Sequence, residues 1–160
     1  MLVAVLGTGC VDMPTPPKSA VPFEARIDGE AFVAADFDFA TYDGGASLII
    51  SGIRPTGAGT YRQVSVNLLH SWHGPGTYTL SALDSVGAVG FISDHTDNFT
   101  SLGSWTTTAA SSGKVVVTEF YPASRTIKGT FSFVARSDSG QPASLSVTAG
   151  RFAGTFYIDP

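Results

Sequence analysis

From Phe23 onward the chain repeatedly alternates apolar and polar residues with a period of two. Phe23-Glu24-Ala25-Arg26-Ile27 alternates, Asp28-Gly29 follows, and Ala31-Phe32-Val33-Ala34 returns. Asp-Gly between two such runs predicts a hairpin, because both residues tolerate the positive φ of a tight turn. Leu48 to Ile53 is a short buried-type run, and Pro55 to Thr60 reads as a Gly/Pro loop. Val64, Val66 and Leu68 then share one face of a strand. Trp72 to Gly76 is a turn, Thr77 to Leu80 a strand, Val86 to Ile92 a weaker strand, and Asp94 to Gly103 a polar loop.

The last third has the sharpest pattern. Lys114 to Phe120 predicts a strand, and Tyr121 to Arg125 a turn around Pro122. Ile127, Gly129, Phe131, Phe133 and Ala135 fall on one face of a long strand. Ser137 to Pro142 turns the chain. Leu145 and Val147 share one parity, whereas Phe152, Phe156 and Ile158 share the other, so a bulge is expected near Gly150. No segment sustains a period of 3.6, although Ser81 to Val89 has room for one helical turn weakened by Gly87. The expected fold is all-β: an antiparallel sandwich or barrel-like fold of about 8–10 strands without substantial helix.

The first twenty residues break this pattern. Nine uncharged, mostly apolar residues lead to Cys10, the chain's single cysteine, with Gly9 before it and Leu6 four places earlier. A small residue before cysteine and a branched apolar residue upstream are the marks of a bacterial lipoprotein signal. The leucine stands one place early, and no basic residue precedes Lys18, where export signals begin with Lys or Arg. An earlier in-frame start is the expected source of that missing region. Residues 11–20 carry Pro14, Pro16 and Pro17 and favour extended backbone, as a tether does. The expected organisation is a shortened signal (1–10) ending at a lipidated Cys10, a proline-rich tether (11–20) and one β-domain (21–160). Two or more acyl chains on Cys10 give stable anchoring.

Composition agrees with export. Charged residues make up only 14% of the chain against 43% hydrophobic, and one cysteine permits no internal disulfide. Net charge is −4, and the nine basic residues form no cluster, which argues against nucleic acid as a partner. No run of 18 apolar residues is present to span a bilayer as a helix.

A set of strings resembles one family: Phe23 through Asp28-Gly29; Gly76-Thr77-Tyr78-Thr79-Leu80; Gly113-Lys114-Val115 with Glu119-Phe120; Ile127 through Phe133; and Val147 through Phe152. In this order they are similar to the DUF6252 family, a domain of unknown function in bacterial secreted lipoproteins. The resemblance spans Val21 to Ile158, is most specific at Gly129-Thr130-Phe131-Ser132-Phe133 and is weakest from Ser81 to Gly103. It implies export, lipid anchoring and an all-β fold, and it supplies no catalytic residues.

Candidate chemistry is sparse. His70, His73 and His95 with Asp94 and Asp97 are zinc-type ligands, but His70 and His73 point differently on a strand-to-turn passage and lack an H-E-x-x-H pattern; solvent-facing loop histidines are the preferred reading. Asp36 and Asp38 lie about 7 Å apart on an extended strand, inside the range for paired glycosidase carboxylates. The alternating Phe37 and Phe39 explain the same pattern as a half-buried strand. Asp36, Asp38 and Asp43 lack EF-hand spacing for calcium. No nucleophile elbow, P-loop or dinucleotide fingerprint occurs, and Asn98-Phe99-Thr100 fits a glycosylation sequon only by chance. Trp72, Trp105, Tyr61 and Tyr78 lie near strand ends, where aromatics stack on sugars or anchor partners; the preferred reading is that they plug the core. Trp72, His73, His95 and Trp105 are the candidate ligand contacts. Together these features lead to a non-enzymatic, monomeric domain without cofactor. It is expected to be exported, lipid-anchored to the cell envelope at the outer membrane, and to bind or support an envelope protein or glycan. The alternatives are a barrel-type carrier of a small apolar ligand and a glycan or peptide hydrolase.

Overall fold

The computed structural model describes residues 22–81, 87–139 and 141–159. Cys10, the tether and residues 82–86 of the possible helical turn lie outside them. Among the described residues the chain forms β1 (Phe23–Ile27), β2 (Glu30–Val33), β3 (Asp36–Tyr42), a 3-10 turn (Asp43–Gly45), β4 (Ser47–Gly57), β5 (Thr60–Leu69) and β6 (Gly76–Leu80). They are followed by β7 (Gly87–Thr96), β8 (Ser101–Thr106), β9 (Gly113–Tyr121), β10 (Thr126–Ser139), β11 (Ser144–Thr155) and β12 (Tyr157–Ile158). The fold is all-β.

The hydrogen-bonded path runs β12-β3-β4-β5-β7-β8-β10-β11-β1-β2, with β9 on β10 and β6 on β9. Pairing is antiparallel except between β12 and β3. The 14-residue β10 is the junction. Its first part, Thr126 to Phe133, pairs with β9, its end pairs with β8, and β11 takes the opposite edge. The sheet folds back on itself there, so β1 faces β4, β10 faces β7 and β11 faces β3. Phe23 lies against Gly52, Phe133 against Gly90 and Phe39 against Gly154.

The predicted faces are the buried ones. Phe23, Ala25 and Ile27 point inward from β1, Val64, Val66 and Leu68 from β5, and Ile127, Phe131, Phe133 and Ala135 from β10. The Asp28-Gly29 turn has φ of 48° and 87°, the doubly left-handed geometry a two-residue hairpin needs. Between the layers the rings of Phe23, Phe131 and Phe152 pack at centroid distances of 5.1 and 6.4 Å through Phe131. Side chains thus fill the space in which a barrel-type carrier would keep its ligand.

Several expectations are corrected. The sheet has twelve strands against the 8–10 expected, because β8, whose start was read as loop, and the two-residue edge strand β12 add to it. The polar stretch Asp94–Gly103 is not one loop: β7 continues to Thr96 and β8 begins at Ser101. Its polarity marks a hairpin end that leaves the core. Pro55 also belongs to a strand. It lies beyond Ile53, where pairing with β3 ends, so no ladder bond is demanded of its nitrogen on that edge. The bulge expected near Gly150 is present, and Ala149 supplies its left-handed backbone at φ 50°. Gly150 instead gives room to the Phe131 ring, 2.6 Å from where a Cβ would stand. Ile158 is 50% exposed, since β12 is an edge strand with no facing layer.

Gly129 is a tight position: a Cβ would stand 2.2 Å from the Val116 carbonyl oxygen and 2.4 Å from the Phe152 ring. Gly129→Ala is therefore expected to cost about 1–3 kcal/mol or more, lowering Tm by about 2–4 °C per kcal/mol. Thr130→Ala on the exposed face should stay within about 0.5 kcal/mol. Thermal melts that do not separate the two variants would refute the packing role.

Candidate functional site

The residues singled out from the sequence do not converge. Tyr61 pairs with His95, and His70 lies nine residues further along the chain of β5, about 30 Å in extended backbone. His73 turns its Nδ1 to the Ser71 carbonyl at 2.9 Å, and its ring packs against Tyr78. His70 approaches Asp43 at 3.6 Å, and Asp43 also accepts a 2.9 Å bond from Ser47. Asp94 is committed to Arg62. Among the described residues no three His, Cys, Asp or Glu side chains gather as a metal centre would require.

The carboxylates of β3 are similarly occupied. Asp36 accepts the amide hydrogen bond of Phe37 at 2.9 Å, and Asp38 accepts from the Tyr157 hydroxyl at 3.2 Å. That hydroxyl also pairs with Tyr42 at 2.8 Å, and the bond holds its pKa above the usual tyrosine range. Asp43 stands seven residues from Asp36, about 23 Å along the strand, so the proposed calcium trio cannot share one ion.

Three of the four strand-end aromatics plug the core. Trp72 is 8% exposed and packs on Tyr78 and Phe120 at 5.7 and 5.0 Å. Tyr78 donates to the Gly74 carbonyl and accepts from the His73 amide, and burial raises its pKa. Trp105 is 2% exposed, with Nε1 donating to the Pro142 carbonyl at 2.7 Å. Trp72 and Trp105 therefore offer no open ring face to a ligand, because the core needs both rings.

The fourth, Tyr61, leads to a surface cluster. It stacks on His95 at 5.4 Å and meets Phe99 edge-on at 6.3 Å. Two hairpin ends build this tip. The amide of Asp97 donates to the Gly59 carbonyl at 2.9 Å and ties the β7–β8 turn to the β4–β5 turn. Beneath it, Arg62 grips Asp94 through two 2.6 Å hydrogen bonds and lies over the Trp105 ring, 5.8 Å from its centroid. The hydrogen bonds to Asp94 outweigh the burial of Arg62 and raise its pKa. This ion pair occupies the inward face at the strand ends, so it closes the core and braces the tip.

Phe99 is the unusual residue. Its amide donates to the Thr96 carbonyl at 2.8 Å, closing a turn through Asp97 and Asn98. It then takes φ 59°, the left-handed position that three-residue hairpin loops usually give to glycine. Its side chain is 81% exposed, and Leu102 three residues on is 55% exposed. A bulky residue in this conformation costs about 1–2 kcal/mol, and burial returns little here. A residue that violates both backbone and burial preferences is a reasoned candidate for function. Sequence reading placed Phe99 in a polar loop. The available signal was an aromatic directly after Asp97-Asn98, where the turn calls for glycine.

The family model for a domain of unknown function, DUF6252, matches residues 20–155. No curated protein and no solved structure matches the chain.

Phe99→Gly is expected to stabilise the domain by about 1 kcal/mol, since glycine removes the left-handed strain, and to raise Tm by about 2–4 °C. A fall of that size in calorimetry would instead make the ring a structural part of the Tyr61 cluster.

Proposed function

The chain belongs to the DUF6252 family, and we propose that this member is a non-catalytic binding module, exported and anchored to the bacterial outer membrane by acyl chains on Cys10. The single observation that carries the binding reading is Phe99, strained and exposed at the tip formed by two hairpins. An aromatic beside Tyr61 and His95, with Leu102 near, suits a shallow apolar recess on an envelope protein. Large rings of this kind dominate protein interfaces. The filled interior supports binding at the surface rather than carriage of an apolar ligand. Asp36 and Asp38 accept hydrogen bonds from the Phe37 amide and the Tyr157 hydroxyl, which fits a structural role for them better than a catalytic one. The address rests on Gly9-Cys10, the prolines of residues 11–20 and the low charge of the chain.

Address and binding are testable separately. In cells expressing the gene with its upstream sequence, Cys10→Ser should abolish incorporation of labelled palmitate and release the protein from the membrane fraction. Persistent labelling would refute the anchor. A photo-crosslinking residue at position 99 should yield discrete protein adducts on intact cells, whereas one at Thr130 should not. Equal adducts at both positions, or none at 99, would overturn the tip as the binding surface.

A further inference from the structure

On the outer face of β6, β9, β10 and β11 the sheet carries a trough of about 540 Å³. Its rim and floor include Thr77, Thr79, Ser112, Ser132, Ser146 and Thr148, with the exposed methyls of Val134 and the ammonium of Lys114. A second hollow of about 330 Å³ shares Ser112 and Val134 with it and reaches Arg136 and Ser144. The two form one groove. Its shape follows from the ladder: Lys114 stands opposite Thr79 on one side and Ser132 on the other, while Val134 faces Ser146 and Arg136 faces Ser144. The small side chains lie between the longer ones, so the face is hollow rather than flat.

Two properties bear on what this groove could hold. The first is the state of its polar groups. Some hydroxyls elsewhere are engaged within the protein, as Ser51 accepts from Gln63, Thr107 donates to the Ser81 carbonyl and Thr108 pairs with Ser111, whereas the buried Ser93 hydroxyl has no partner among the described residues. Among the described residues, the hydroxyls of the six groove residues named above make no hydrogen bond to protein. The second is charge. Arg62, Lys128 and Arg151 are paired with Asp94, Glu119 and Glu24. Lys114 and Arg136, like Arg26, Arg54 and Arg125, have no ion-pair partner among the described residues, but these two lie along one groove that no acidic side chain lines. Asp138, two residues beyond Arg136, accepts a hydrogen bond from Thr106.

Lys114 is opposite Ser132, four residues before Arg136 on β10. Lys114 and Arg136 therefore leave the sheet about 13 Å apart along the strand direction. An extended polymer with repeated negative groups suits that spacing. The floor is sheet face, with its backbone already paired, so no peptide can add as a strand there. The one aromatic at its floor, Phe133, is 3% exposed and turned into the core, so it offers bases no ring face to stack on. Free hydroxyls that donate and accept match the hydroxyls of sugar rings.

We propose that this groove binds an acidic polysaccharide, with Lys114 and Arg136 meeting carboxylates of separate sugar units and the Ser and Thr hydroxyls meeting the sugar hydroxyls between them. The site is distinct from the Phe99 tip, so either stands or falls without the other.

Calorimetric titration of the full-length protein with polygalacturonate oligomers at low salt tests it. Saturable binding is expected, weakening as salt screens two exposed cations. The double variant Lys114→Gln with Arg136→Gln should bind about fivefold to tenfold more weakly, as two exposed charge contacts predict. Arg125→Gln, which alters a cation outside the groove, should bind as the parent does. Neutral dextran oligomers should bind at least tenfold more weakly than the uronate. No uronate binding, or undiminished binding by the double variant, would overturn the proposal. So would poly-glutamate or single-stranded DNA binding as tightly as the uronate, since the groove would then be a bare charge patch. Melting curves within the parent's range show that the double variant is folded.

Discussion

Core rings in this domain occupy space that glycine leaves open, and the rest of the structure depends on that constraint. A Cβ on Gly52, Gly90, Gly129, Gly150 or Gly154 would stand within 3 Å of the ring of Phe23, Phe133, Phe152, Phe131 or Phe39, respectively. In Gly129–Phe152 and Phe131–Gly150 the partners stand opposite each other on β10 and β11. The other three pairs join strands from the two layers. Glycine in a strand weakens it locally, by lost side-chain contact and greater entropy. Here a phenylalanine from the neighbouring strand or facing layer covers the bare backbone, as aromatic rings do when they rescue glycine in sheets. The rings also touch each other, so a change at one pair reaches the next. A domain with no internal disulfide among the described residues depends on this close packing, where even one methylene is felt.

The same requirement explains the course of β10 and β11. Phe131 and Phe133 both point inward from β10, yet the residues opposite them, Gly150 and Val147, are separated by an extra residue on β11. The extra residue shifts the parity, so that Val147 before the bulge and Phe152 after it both enter the core. Ala149 adopts the left-handed backbone that permits this. β10 is thereby shared by two partners on one edge, first β9 and then β8, and the sheet turns from one layer into the other along it. The groove over Ser132 and Val134 lies on the outer side of that junction. Its hollow belongs to the strand that both layers share.

How far this was legible depended on what each residue's signal consisted of. Period-two patterning is a property of neighbouring residues, and it correctly identified the inward faces of β1, β5 and β10. The parity change around Gly150 was equally local, and the bulge is there. What the pattern did not show is the division of labour: sequence reports that Gly150 lacks a Cβ, but not whether that absence serves backbone torsion or a neighbour's ring. Polarity misled at Asp94–Gly103, because a hairpin that projects past the core is polar for the same reason a loop is. Trp72 and Trp105 near strand ends were compatible with either exposure or burial, and only the facing layer decides between them. The groove was invisible beforehand. Lys114, Ser132 and Thr148 are far apart in the chain, and each is an ordinary outward residue of its own strand.

Phe99 and the groove are instructive for opposite reasons. At Phe99 the backbone and the solvent exposure both disfavour the residue present, so the local cost itself is the signal. In the groove each residue satisfies every local rule for an exposed strand position. What stands out there is collective: several unengaged hydroxyls and two cations without counter-ions along one groove, in a chain of net charge −4. An excess of acid makes pairing easy, as Arg62, Lys128 and Arg151 demonstrate with their carboxylates. Two unpaired cations in one groove, on the neighbouring strands β9 and β10, therefore constitute an electrostatic pattern that the fold's stability does not require. A polymer carrying its own negative groups at intervals supplies the complement that the protein's surface withholds at that place.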